Sequence, residues 1–101
     1  MKPDSSKFQN DRGKHSHLKT KQILIALSGK VTVLCDDGKN IKNYVLDRPE
    51  KALYIPELIW DEQIYENENS VLLVLANTHY NVKDYIENYS DFKKIKNNLS
   101  S

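Results

Sequence analysis

One cysteine, Cys35, stands in the 101 residues, so no disulfide can form within the chain. A lone thiol suits a reducing compartment, and the cytoplasm is the default expectation. Charge of one sign is equally scarce: 15 Lys and Arg stand against 14 Asp and Glu, a net charge of +1. With no basic excess to neutralise a run of phosphates, nucleic acid is excluded as the expected partner. Long apolar stretches are missing as well. Runs such as Ile23–Leu27 and Val71–Ala76 fall far short of the ~20 residues a membrane helix needs, so no membrane partner is expected. The polar opening Met1–Asn10 predicts no secretory leader. The 39% hydrophobic share is low for a compact domain, so the core must come from a few concentrated segments, and a chain of this length holds one domain.

What is there divides into three stretches. Residues 1–11 (MKPDSSKFQND) are charged and without periodicity, which predicts a disordered or loosely attached arm. Residues 12–80 carry strand signals at short intervals, and 81–101 carry helix signals. No internal repeat is visible.

The middle stretch reads as strands because its apolar residues are β-branched or aromatic and its breaks have turn chemistry. Lys21–Leu27 runs into Ser28-Gly29, and Val31–Cys35 runs into Asp36-Asp37-Gly38, a hairpin signal. Ile41–Leu46 alternates as a half-buried strand would, and Asp47-Arg48-Pro49-Glu50 is the next turn. Leu53-Tyr54-Ile55 is stopped by Pro56, and Ile59–Tyr65 and Val71–Ala76 complete the series. Short strands at this spacing, with no helix between them, predict an all-β barrel or sandwich. In the tail, Asn81 followed by Asp84 resembles a helix N-cap opening Val82–Tyr89, and Ser90-Asp91 a second cap. Tyr85, Ile86, Tyr89 and Phe92 then share one helical face, expected to pack on the outside of the barrel or to make a dimer contact.

The chemistry is concentrated in Arg12-Gly13-Lys14-His15-Ser16-His17. Residues two apart on a strand point the same way, so His15 and His17 project together. Facing a barrel interior, such a pair makes a proton-transfer site or half of a metal site; facing outward, it is a solvated surface feature. The spacing His15-x-His17, Gln22, Gly29 reproduces the first motif of the cupins, with Gln where metal-binding members carry Glu. The stretch that would supply a further His, Pro56 to Glu62, has none. Two His and a Gln, with Asp61 as the remaining donor, are a poor ligand set for a transition metal, so neither a metal nor another cofactor is expected.

Taken in order, RGKHSH at 12–17, Gln22, LSG at 27–29, Asp36-Asp37-Gly38, the LD-P stretch at 46–49, LYIP at 53–56, Trp60, SVLLVLA at 70–76 and Tyr80…Asp84-Tyr85-Ile86…Tyr89…Phe92 resemble the dTDP-4-oxo-6-deoxyhexose 3,4-ketoisomerases, the WxcM-like branch of the cupins. The resemblance covers residues 12–93. It implies an antiparallel jelly-roll barrel of cupin type with short C-terminal helices, related in fold to the metal-independent sugar-nucleotide epimerases, and a homodimer. It also implies a thymidine-diphosphate 4-keto-6-deoxy sugar as the bound substrate, whose carbonyl moves from C4 to C3 through an enediol in the biosynthesis of deoxyamino sugars.

By family position His15 is the principal acid and base, and His17 orients the sugar or relays the proton. Arg12 lies beside the site, where a guanidinium can pair with diphosphate oxygens, and Gln22 contacts the substrate. Tyr54 and Trp60 border the nucleotide pocket in this reading, with core packing as the alternative for each.

The sequence also departs from the pattern. Family members carry further strands, with a Tyr and an Arg, ahead of the RG-H-x-H motif. Here eleven residues precede Arg12, and the first Tyr is Tyr44. Leu18, Ala52 and Glu87 stand where the family has Lys, Gly and Arg. A cupin that binds sugar nucleotide or serves in assembly without turnover is therefore the alternative, and a metal-dependent cupin enzyme the second.

Overall fold

The computed structural model describes the backbone of residues 10–78 and 82–100 and the side chains of 14–78 and 83–99. Its strands are β1 (Asn10–His17), β2 (Gln22–Ser28), β3 (Val31–Asp36), β4 (Ile41–Leu46), β5 (Ala52–Ile55), β6 (Trp60–Tyr65), β7 (Val71–Ala76) and β8 (Tyr85–Ile86), followed by one helix, α1 (Tyr89–Ser100). They form a five-stranded sheet in the order β4-β3-β6-β1-β8 and a three-stranded sheet in the order β5-β2-β7, with every described pair antiparallel. The architecture is the expected all-β jelly roll, with one qualification. The described strands pack as an open two-sheet sandwich and do not join into a closed barrel.

The core follows from alternation. Every second residue of β2 and β3 turns inward, and Leu24, Ala26, Val31 and Val33 are fully buried there together with Leu46 and Ile55. Two turns lock the far end of the sandwich together. Gly29 adopts φ +69°, and a Cβ on it would stand 2.6 Å from the Ser70 Cα, so only glycine fits. The Ser70 hydroxyl then accepts from the Lys30 amide at 3.0 Å and donates to the Lys30 carbonyl at 2.9 Å. The Asp36-Asp37-Gly38 hairpin forms as expected, with Asp36 Oδ1 accepting from the Gly38 amide at 2.7 Å and Asp37 Oδ1 from the Asn40 amide at 2.8 Å.

Three local expectations are corrected. The first strand takes in Asn10 and Asp11, which pair with Tyr65 and Ile64; the rest of the expected arm, residues 1–9, lies outside the described residues. The strand Ile41–Leu46 forms, but only Leu46 is buried, because β4 lies at the end of its sheet with one neighbour instead of two. The largest departure is in the tail.

Val82–Tyr89 is not a helix. Val82–Asp84 is a single 3-10 turn, and Tyr85 and Ile86 form β8, paired with His17 and Ser16 of β1. The helix starts at Tyr89, with Asn88 as its cap: the Asn88 side chain accepts from the Asp91 amide at 3.2 Å, and the Asn88 carbonyl from the Phe92 amide at 3.1 Å. The expected cap at Asn81 lies outside the described residues. Strand alternation sends Tyr85 and Ile86 to opposite faces, so the proposed four-residue helical stripe is split. Ile86 and Phe92 pack with Trp60 on the outer face of the five-stranded sheet, while Tyr85 turns to the inner one.

The inner face of that sheet carries a polar row. Lys42, Cys35, Asp61 and His15 are successive register partners across β4, β3, β6 and β1. Asp61 is 1% exposed; its Oδ1 accepts a long bond from Gln63 Nε2 at 3.3 Å, and its Oδ2 has no partner among the described residues. Burial, aided by the charge of Glu62, pushes its carboxyl up to about 7 against the bond from Gln63. A raised folded pKa means that folding retains a proton the unfolded chain releases near pH ~4. Asp61 is therefore tolerated at low pH, and its cost grows as pH rises towards 7. Asp61→Asn, neutral at every pH, should leave stability nearly unchanged at pH 4 and raise it at pH 8, by up to ~4 kcal/mol as an upper bound. Urea denaturation of both proteins at the two pH values checks this; an equal effect at both would show that the native carboxyl titrates as it does in the unfolded chain.

Candidate active site

The histidine pair owes its direction to an irregularity in β1. Arg12 is in register with Gln63 and His15 with Asp61, so Gly13 and Lys14 together face the single residue Glu62. Such a bulge shifts everything after it by one residue. In unbroken register His15 would meet Trp60, on the outer face beneath α1. The bulge turns it to Asp61 and the interior.

His17 is buried and His15 half-buried. Their Nε2 atoms lie 3.2 Å apart, with ring centroids 4.9 Å apart and planes at 82°. Behind His17 stands Asp84, whose Oδ2 accepts from His17 Nδ1 at 2.8 Å. The same oxygen accepts from the Thr20 hydroxyl at 2.5 Å, and Oδ1 accepts from the Lys19 amide at 2.8 Å. Thr20, itself buried, has Thr78 Oγ1 at 2.6 Å. Partial burial pushes the Asp84 carboxyl up, but the bonds from Thr20, His17 and the Lys19 amide outweigh it and hold the group below the usual carboxylate range. Asp84 is an anion at neutral pH.

The β1–β8 pairing places this carboxylate. It fixes Tyr85 opposite His17 and so leaves Asp84 at the level of the ring, with the Leu18 amide donating to the Asp84 carbonyl at 2.9 Å. The Tyr85 ring packs against both imidazoles, at 5.3 Å from His15 and 4.5 Å from His17. On the other flank the Leu58 amide donates to the His17 carbonyl at 2.8 Å.

The remaining expected site residues are dispersed. Gln22 is buried on the inner face of the three-stranded sheet, its Oε1 without a partner among the described residues. Tyr54 lies on the opposite, outer face of that sheet and is exposed. It borders a cleft of about 250 Å³ lined by Cys35, Lys42, Tyr44, Leu53, Ile55 and Ile59 among others. Trp60 does not join the histidines. It packs against Tyr89 and Phe92 under α1, which is the core alternative. Arg12 lies on β1 by its backbone, and its side chain is outside the described residues.

Sequence reasoning missed Asp84, Thr20 and Tyr85 as site residues. The sequence pattern marks Asp84 as part of a helix cap, and no local signal distinguishes a capping Asp from a carboxylate carried to a histidine 67 positions away. Among the described residues no group of three or more His, Cys, Asp or Glu is placed to hold a metal ion, and no helix is long and apolar enough to cross a membrane.

Comparison with known proteins gives a consistent answer. A TDP-4-oxo-6-deoxy-alpha-D-glucose-3,4-oxoisomerase of Aneurinibacillus thermoaerophilus is 38% identical over 89 residues, covering 88% of this chain and 64% of the relative. The chain thus spans just under two thirds of that relative's length. The solved TDP-fucose-3,4-ketoisomerase of Campylobacter jejuni superposes with a TM-score of 0.86 at 39% identity, over 92% of this chain and 69% of the other. A sugar 3,4-ketoisomerase of Thermoanaerobacterium thermosaccharolyticum, solved with TDP, gives 0.87 at 37% identity, over 91% and 67%; a variant of it was solved with TDP-4-keto-6-deoxyglucose. The family model described as WxcM-like, C-terminal matches residues 5–97, a span that holds the paired histidines, the bulge that aims them and the carboxylate behind them, and the chain belongs to that family.

Proposed function

We propose that the protein is a sugar-nucleotide 3,4-ketoisomerase that acts on dTDP-4-dehydro-6-deoxyglucose in deoxyamino-sugar biosynthesis. The observation that carries this reading is the inward-facing, hydrogen-bonded pair His15–His17 in a chain whose relatives are 3,4-ketoisomerases. Moving the ketone needs no redox cofactor. A base takes the proton on C3, the electrons left behind make an enediolate with its charge on O4, the O3 hydroxyl proton passes to O4, and a proton is delivered to C4 as the oxygen on C3 becomes the carbonyl. Imidazole, with an ordinary pKa of ~6.5, both accepts and returns a proton at cellular pH. His15, the more open of the two rings, takes the role of acid and base at carbon, and His17 relays behind it. Arg12 holds the diphosphate and Gln22 the sugar in this reading. A cytoplasmic location suits Cys35, a free thiol that burial and the nearby Asp61 push up to about 12, so that it stays protonated.

The same reading includes a homodimer built on the three-stranded sheet. On its outer face Ile23 is in register with Tyr54 on one side and Leu75 on the other, and Ile25 with Leu73. Ile23, Tyr54, Leu73 and Leu75 are all exposed, Leu75 by 50%, with Leu27 and Val71 beside them. A contiguous apolar sheet face of this kind marks an interaction surface, and β7, with one partner strand among the described residues, adds an edge open to pairing. A second copy of the chain covers both.

Two outcomes are expected. Wild-type protein should exchange deuterium from solvent into C3 of dTDP-4-dehydro-6-deoxyglucose, and His15→Asn should lower that rate by ~10²–10⁴-fold with thymidine-diphosphate affinity preserved. Binding without exchange in the wild type would favour the non-catalytic reading. Leu75→Glu should convert a dimer into a monomer in sedimentation equilibrium; a wild type that is already monomeric at high micromolar concentration would remove this interface.

A further inference from the structure

The ionised Asp84 carboxylate can only accept hydrogen bonds, so His17 Nδ1, 2.8 Å away, carries a hydrogen. A neutral imidazole has one N–H, which leaves His17 Nε2 as a lone pair. The atom 3.2 Å from that lone pair is His15 Nε2, which must then be the donor. The tautomers of both rings are therefore set by one carboxylate: His17 is protonated at Nδ1, His15 at Nε2, and the basic atom of the pair is His15 Nδ1.

We infer that Asp84 is a positioning residue that sets the direction of a proton relay, and that the proton removed from the substrate is stored one residue behind the reacting histidine, as a His17 imidazolium paired with Asp84. This rests on the ketoisomerase reading for the identity of the substrate, not for the relay. The balance is simple. His15 Nδ1 takes the C3 proton, and the Nε2 proton of His15 crosses to His17 Nε2. His17 then holds protons on both nitrogens against the Asp84 anion, and His15 is again neutral, now with its hydrogen on Nδ1. Reversal returns a proton through the same atom of His15 for delivery to C4. The positive charge never rests on the ring nearest the enediol, and an anion stands where it comes to rest.

Asp84→Asn tests the relay because the surrounding bonds dictate how an amide must sit. The Lys19 amide donates to Oδ1 and requires an oxygen there. The side-chain NH₂ of Asp84→Asn therefore occupies the Oδ2 position, facing His17 Nδ1 and the Thr20 hydroxyl. Thr20 can reverse and donate to Thr78, 2.6 Å away. His17 Nδ1 can respond only by becoming the acceptor, which moves its hydrogen to Nε2 and forces His15 to Nδ1–H.

The experiment is two-bond ¹H–¹⁵N correlation of the full chain, wild type and Asp84→Asn, with single-histidine substitutions for assignment, together with C3 exchange kinetics. The expected wild-type result is His17 protonated at Nδ1 and His15 at Nε2. In the variant both should invert, and kcat should fall by ~10³–10⁴-fold with KM little changed, the size of effect that the same substitution has behind the histidine of serine proteases. Wild-type tautomers other than these would overturn the inference even if the variant failed to fold. Unchanged tautomers in a folded Asp84→Asn would overturn it as well. The expected tautomers and inversion in a protein that never exchanges C3 would leave the relay standing and remove the ketoisomerase reading alone.

Discussion

The bulge in β1 decides where the chemistry faces. Strand side chains alternate, so a histidine pair on one strand projects together wherever the register puts it. Between Arg12 and His15 the strand spends two residues opposite Glu62, and this extra residue turns His15 and His17 from the side covered by α1 to the inner face of the sandwich. Gly13 lies within the bulge, where the lack of a side chain eases the irregular backbone. Everything else at the site takes its bearings from the strand end that the bulge delivers. Ser16 and His17 pair with β8, β8 sets Asp84 and Tyr85, and the Leu58 amide closes on the His17 carbonyl.

That closure is made by a strained residue. Leu58 sits at φ +61°, a left-handed conformation that costs a non-glycine residue roughly 1–2 kcal/mol. The turn after Pro56 accepts this because its amide must reach His17 while the Leu58 side chain packs on the Trp60, Ile86 and Phe92 cluster. The same few residues thus tie the outer layer to the inner site. The helix buries Phe92 completely against strands whose opposite faces hold the histidines, so packing on one side of the sheet fixes geometry on the other.

How much of this was legible in the sequence depends on how local the signal was. The strands between residues 21 and 76 follow from alternation and turn residues; Asp36-Asp37-Gly38 and Ser28-Gly29 turn where expected, and the shared face of His15 and His17 needs only a strand. The bulge left no mark, since Gly13 alone does not say that two residues will face one. The tail failed for a different reason. Asn81 and Asp84 carry a real N-cap pattern, but two residues of β8 gain cross-strand bonds to β1 and bring a carboxylate to an imidazole, and those tertiary gains exceed the few tenths of a kcal/mol per residue by which helix propensity favours one conformation. Trp60 was legible as a large buried aromatic but not by face, because its face is set by tertiary packing, with Ile86 and Phe92 meeting it on the side that α1 covers.

The three sheet surfaces carry separate tasks, and the polar atoms show the division. The outer face of the large sheet pairs several of its polar groups internally: Asp36 takes the Tyr89 hydroxyl, Trp60 Nε1 donates to Glu62 at 3.3 Å, and Lys93 donates to the Gly38 carbonyl at 2.7 Å, while the buried Ser16 hydroxyl has no partner among the described residues. On the inner face Gln22 Oε1 and Asp61 Oδ2 are buried without partners among the described residues, at a cost of roughly 1–3 kcal/mol each. A domain of about a hundred residues has only ~5–15 kcal/mol of net stability, so unsatisfied polar atoms on the histidine side of the sandwich are a substantial concession. In the proposed reading the sugar hydroxyls supply the partners that they lack. The outer face of the small sheet has the opposite excess, apolar area with nothing polar to satisfy, and only another apolar surface improves it. In the proposed reading, stability in this fold is completed from outside, by a polar ligand on one face and a second copy of the chain on another.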